Sequence, residues 1–143
     1  MNVIEGTGEI VVEPDWRRLL SRKAEREAAA EYWRAITAEM RSRNILSAGN
    51  QHAIQRLVIG YVIYDRSARD SIKTGAVVMP KADNARGIPR INPAFRVMKE
   101  ASAYSLGLEA ELGLAPRRRS SATKVARPPR PQGPSTSYLK PKD

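Results

Sequence analysis

The sequence predicts an all-α protein: three or four helices forming an oligomerising core, a Gly/Pro loop or small hairpin near residues 75–91, and a disordered basic C-terminal tail. Three observations predict it. Apolar residues recur at spacings of three and four along most of the first 116 positions, as one face of a helix requires. Asn, Pro and Gly punctuate those stretches where helices begin and end. Beyond Pro116 the periodicity disappears, and six of the ten prolines fall between Pro116 and Pro141. Such a stretch buries too little to offset its ordering entropy.

Residues 1–14 read as an irregular or strand-like extension, with "EIVVEP" able to pair with something. Asp15 is placed to cap a first helix from about Trp16 to Arg43, in a segment rich in Ala, Glu, Arg and Leu. Ala29, Trp33, Ile36 and Met40 form its stripe, and a break near Ser21–Lys23 is compatible with the pattern. After "SAGN", Asn50 offers a cap for a second helix, Gln51 to Thr74, that Gly75 stops. Ile54, Leu57, Tyr61, Tyr64 and Ala68 make one stripe, while Val58, Ile59, Val62 and Ile63 are apolar too. A helix apolar on several faces is covered on several faces, either by further helices or by another subunit. Turn residues fill 75–91, with Asp83–Asn84 as a turn. Asn92 then caps a third helix with Pro93 at its first position, an inner stripe of Phe95, Met98, Ala101 or Ser102, and Ser105 or Leu106, followed by Leu108 and Leu112, and Gly113 as its end.

The chain thus divides into an extension (1–14), a helical domain (15–116) and a basic tail (117–143). Charge divides the same way. Residues 1–116 hold 17 Lys/Arg against 14 Asp/Glu, whereas 117–143 hold 8 against 1. A one-signed excess set on a balanced body points to a polyanion partner. In the tail the candidate phosphate-binding residues are Arg117, Arg118, Arg119, Lys124, Arg127 and Arg130, kept apart by prolines that hold the chain extended. A second cluster, Arg17, Arg18, Arg22, Lys23 and Arg26, opens the first helix, where Glu25, Glu27 and Glu31 interleave and can pair with it. Trp33, Ile36, Met40, Leu57, Tyr61 and Tyr64 are the candidate subunit-interface residues.

Catalytic chemistry finds little to work with. Cysteine is absent, which removes thiolate metal sites and disulfides, and the one histidine, His52, stands in the first turn of the second helix. There is no phosphate-cradling G-x-x-x-x-G-K-[ST] loop. The pairs Glu25/Glu27 and Glu109/Glu111 lie among helix formers and read as solvated faces. No enzyme activity, cofactor or metal is expected. The longest apolar run, Leu57 to Tyr64, is far short of a membrane span, and the acidic N-terminus has no signal-peptide character. A soluble intracellular chain with no membrane partner is the expectation.

The segments "EYWRAITAEMRSRNILS", "GNQHAI", "INPAFRVMKEA" and "AELGLAPRRR" give the sequence a resemblance to the small terminase subunit of tailed bacteriophages. It covers about Ala28 to Arg119 and rests on Asn92–Pro93 together with Glu111-Leu112-Gly113-Leu114-x-Pro116. Serine follows the arginines here, at Ser120 and Ser121, where the family places it before them. The resemblance implies a non-catalytic role in packaging viral DNA. The protein would bind double-stranded viral DNA near the packaging start and recruit and regulate a large subunit carrying the ATP-driven motor and nuclease. It would work as a ring of roughly eight to eleven copies, nine favoured. It would act in the host cytoplasm during virus assembly and be absent from the mature virion. Two other readings of the residues stay open at this point: an adaptor whose basic tail docks on an acidic protein, and a nucleoid-type nucleic-acid-binding protein.

Overall fold

A computed structural model describes residues 11–115. The expectations for residues 1–10 and for the tail from residue 116 onward lie outside the described residues. Within them, three long helices run antiparallel in chain order: α1 (Lys23–Ser42), α2 (Gln51–Thr74) and α3 (Pro93–Glu111). Between α2 and α3 a small hairpin pairs β1 (Val77–Val78) with β2 (Arg90–Ile91), in the register Val77 with Ile91 and Val78 with Arg90. Among the described residues the fold is helical apart from this small hairpin, into which the Gly/Pro segment folds.

The first helix does break where its sequence allowed. Trp16–Arg18 forms a short 3-10 turn, which Asp15 caps by accepting from the Arg17 N–H at 3.1 Å. The chain then bends through Leu19–Arg22 before α1 starts. The reason is the contact of Trp16 with Trp33, an edge-to-face pair with centroids 6.0 Å apart. In an unbroken helix those rings would stand about 25 Å apart. Asn50 departs from its expected part. A 3-10 turn, Ala48–Asn50, leads into α2, and the Asn50 side chain donates to the Ile45 carbonyl at 3.2 Å instead of capping the helix. Asn92 caps α3 as anticipated, accepting from the Ala94 N–H at 2.9 Å. Its amide also donates to Thr74 Oγ1 at 2.6 Å and to the Gly75 carbonyl at 2.7 Å. One side chain therefore starts α3 and holds it to the end of α2.

The core sits around α2, which has α1 on one side and α3 on nearly the opposite side. Met40, Ile54, Leu57 and Val58 have no exposed surface, and Trp33, Ile36, Val62, Leu108 and Leu112 close the same cluster. The fold has room for this because α3 comes very near α2. A Cβ built on Gly60 would lie 2.6 Å from Ser105 Oγ. That hydroxyl is buried without a hydrogen-bond partner, so the contact is steric rather than polar. At the far end Gly113, at φ +74°, reverses the chain, and Leu114 and Ala115 tuck in. There Arg43 donates to the Gly113 carbonyl at 2.9 Å, tying the ends of α1 and α3 together.

The expected outcome of Gly60→Ala is a loss of about 1–3 kcal/mol, because its new methyl meets an oxygen that must move. In a Ser105→Ala background the obstacle is gone, and the same change becomes neutral or stabilises by up to about 1 kcal/mol through helix propensity. Denaturant unfolding of the four chains measures this coupling. Equal costs in both backgrounds would exclude the contact.

Candidate nucleic-acid and subunit interfaces

The antiparallel path gathers charge at one end of the bundle. The start of α1, the last turns of α2, the hairpin and the start of α3 all lie there. Arg17, Arg18, Arg22 and Lys23 are each exposed, along the 3-10 turn and the first turn of α1. Their ion pairs are long: Arg18 to Asp15 at 3.8 Å, Arg22 to Glu25 at 3.8 Å, Lys23 to Glu27 at 3.7 Å. The Arg18–Asp15 and Lys23–Glu27 pairs are exposed at both partners and contribute little, so a phosphate can displace their carboxylates. Sequence reasoning missed their neighbours. Arg69 and Lys73 at the end of α2, Arg86 and Arg90 in the hairpin, and Arg96 on α3 are exposed at the end where Arg22 and Lys23 open α1, whereas the 3-10 turn bearing Arg17 and Arg18 folds back along α1 towards Trp33. Far apart in the chain, they converge only because the helices fold back. The tail residues Arg117, Arg118, Arg119, Lys124, Arg127 and Arg130 lie outside the described residues, so the structure does not relate them to this end.

Beneath the basic end lies a deeply buried acid. Glu25, 3% exposed, accepts from Arg66 Nε at 2.7 Å and from Nη2 at 2.6 Å. This fork holds the Glu25 carboxyl below its ordinary range, against the opposing effect of burial, and it pushes the Arg66 guanidinium up. The pair pins α1 to α2 and leaves neither group free for chemistry. The other carboxylates suspected of pairing are also occupied or apart. Glu27 sits outside with Lys23, and Glu109 accepts from the Tyr61 hydroxyl at 2.6 Å. His52 is exposed. Among the described residues no three His, Cys, Asp or Glu side chains gather as metal ligands, and no helix is long and apolar enough to cross a membrane.

The candidate subunit-interface residues separate into two groups. Trp33, Ile36, Met40 and Leu57 are buried inside the single chain. They belong to the core cluster of the chain itself, together with Leu108 and Leu112 of α3 and its end. Tyr61 is half-buried and Tyr64 is 39% exposed. They border a cleft of about 390 Å³ with Tyr32, Asp65, Leu106 and Glu109. In it Tyr32 donates to Asp65 Oδ2 at 2.6 Å and packs edge-on against Tyr61 at 5.2 Å. Hydrogen bonding to Asp65 and burial push the Tyr32 hydroxyl up to about 12, and burial followed by the bond to Glu109 pushes Tyr61 higher still. On the other side of α2 a groove of about 500 Å³ runs between Leu19, Ile59, Ile63 and Tyr104, with Arg56 and Arg66 at its edge.

Comparison with known proteins identifies one family. A family model described as phage terminase, small subunit, matches residues 29–128. That span includes all of α2, the hairpin and α3, and most of α1. No curated protein and no solved structure matches the chain.

These pairs fix the pH response. The depressed Glu25 carboxyl contributes stability that is present above its ordinary value of 4.5 and is lost as pH falls through its folded value. The raised Tyr32 hydroxyl contributes stability that is full below its ordinary value of 10 and is lost as pH rises towards about 12. Glu25→Gln therefore costs about 2–3 kcal/mol at neutral pH, below the figure for a fully buried pair because the Arg66 side chain is 41% exposed. The deficit shrinks at pH 3, and Tyr32→Phe flattens the loss between pH 10 and 12. Unfolding titrations across pH check both limbs.

Proposed function

Since this chain belongs to the phage terminase small-subunit family, we propose that it is the non-catalytic DNA-recognition subunit of a genome-packaging terminase. It binds double-stranded viral DNA at the packaging start as a closed ring of roughly eight to eleven copies, nine favoured. It recruits and regulates the large subunit, which supplies ATP hydrolysis and DNA cleavage, and it acts in the host cytoplasm during assembly.

The observation that carries this reading is the partition of charge. A body of 17 cations and 14 anions continues into 27 residues with 8 cations and 1 anion. Such a segment follows a phosphate backbone by releasing its counterions, without needing to read bases. Repetition around a ring adds avidity: each arm binds weakly, and many arms at one opening raise the effective concentration of charge at one duplex. The exposed cations at the hairpin end of the body offer a second grip on the same polyanion. Apolar surface left on the folded chain, including Tyr104 at 48% and Leu106 at 60% exposure, supports association between copies.

Ending the chain after Pro116 leaves the helical body whole and removes the arm. The slope of log K against log salt for duplex DNA then flattens by about 0.9 for each phosphate that the arm had neutralised, or about 2.7 for three phosphates. An unchanged slope would remove the tail from the DNA interface. A further flattening on replacing Arg17, Arg18, Arg22 and Lys23 with Gln would place the body at the DNA as well.

A further inference from the structure

The two clefts beside α2 lie on opposite sides of the α2–α3 pair. At about 100° per residue, Ile59 and Ile63 are about half a turn round α2 from Tyr61 and Tyr64, and Tyr104 is about half a turn round α3 from Leu106. The faces are unlike in charge as well as position. The groove face carries guanidinium groups, with Arg56 at its edge. The opposite face carries the carboxylates of Asp65 and Glu109, each of which accepts one tyrosine hydroxyl through one oxygen. A carboxylate has about four lone-pair sites, so each retains capacity for a guanidinium. Both faces are apolar at the centre, through Ile59, Ile63 and Tyr104 on one and Tyr64 and Leu106 on the other.

Height along the bundle supplies the match. The antiparallel packing that sets Gly60 against Ser105 also sets Arg56 level with Glu109 and Ile59 level with Leu106. Rotation about an axis parallel to the helices keeps every residue at its own height. Copies related by such a rotation therefore bring cation to anion and apolar residue to apolar residue.

Resting on the ring reading above, we propose that the occupant of the groove is a second copy of this chain. The face bearing Arg56, Ile63 and Tyr104 receives the face bearing Tyr64, Leu106 and Glu109 of the next copy, head to tail. An interface made of two different patches leaves one patch unused at each end of any open chain of copies, and closure into a ring satisfies both. The reversed orientation inverts these heights, so Arg56 no longer stands level with Glu109 and the charge match is lost.

The test uses the full chain in two forms. Arg56→Glu with Tyr104→Asp disables the groove face, and Leu106→Arg disables the other. These side chains lie at the surface of the fold, and circular dichroism verifies folding. In sedimentation velocity each form alone loses the wild-type assembly and runs as a single copy. An equimolar mixture forms a two-copy species that grows no further, because one intact groove meets one intact opposite face. Rings that persist unchanged in both forms, or single-copy forms that fail to pair when mixed, overturn the head-to-tail assignment and leave the ring reading standing. A wild-type chain that is itself a single copy overturns the ring reading. Independently, the sequence has no cysteine, so a chain with Arg56→Cys and Glu109→Cys can be treated with a short bis-maleimide. The expected product is a covalent ladder of two, three and more copies up to the closed assembly. Assemblies that yield no ladder overturn the proposal even if the charge-reversed forms fail to fold.

Discussion

The approach of α3 to α2 at Gly60 and Ser105 sets the geometry on which the rest of the structure depends. A helix interior tolerates glycine at a cost of about 1 kcal/mol against alanine, and here the missing side chain lets α3 lie close enough for Ser105 to fill its place. From that spacing follow the closure of Leu108 and Leu112 over Leu57 and Met40 and the reach of Tyr61 to Glu109. The separation of the remaining surface into two clefts follows too. Were α3 held further out, α2 would keep an open apolar side.

The segments most legible in the sequence were those governed by backbone chemistry. Gly75, Asn92–Pro93 and Gly113 act where they stand, because a missing Cβ or a missing N–H has the same effect in any tertiary setting. The break near Ser21–Lys23 was visible as a gap in the pattern, but its cause, the Trp16–Trp33 contact, joins residues that are distant in the chain. Asn50 misled because a capping residue type can satisfy itself elsewhere, here on the Ile45 carbonyl. Trp33, Ile36, Met40 and Leu57, expected at a subunit interface, lie in the core cluster of the single chain. Periodicity reveals that a side chain is covered, not what covers it. The apolar excess of α2 was real, and α3 absorbs its deepest part. The Glu25–Arg66 fork spans 41 positions, beyond any local pattern, and it turns what resembled one more solvated helix acid into a buried tie.

Charge is arranged in two zones rather than one. The body is cationic at the hairpin end, where α1 and α3 begin and α2 ends. The chain leaves the body at the opposite end, past Ala115, next to the Arg43–Gly113 tie. Under the packaging reading, the hairpin end of the folded body is a surface that meets phosphates. The tyrosine-bound carboxylates, by contrast, lie on a lateral face between those ends. That leaves end surfaces to a polyanion and side surfaces to other copies, a division in which neither function needs a catalytic group.

The most direct measurement of this account is electron microscopy of the purified full-length chain, with particle averages classified by rotational symmetry. The account predicts closed rings of a single order, within roughly eight to eleven copies. Isolated one-copy particles, or two-fold pairs that never close into a ring, would contradict it.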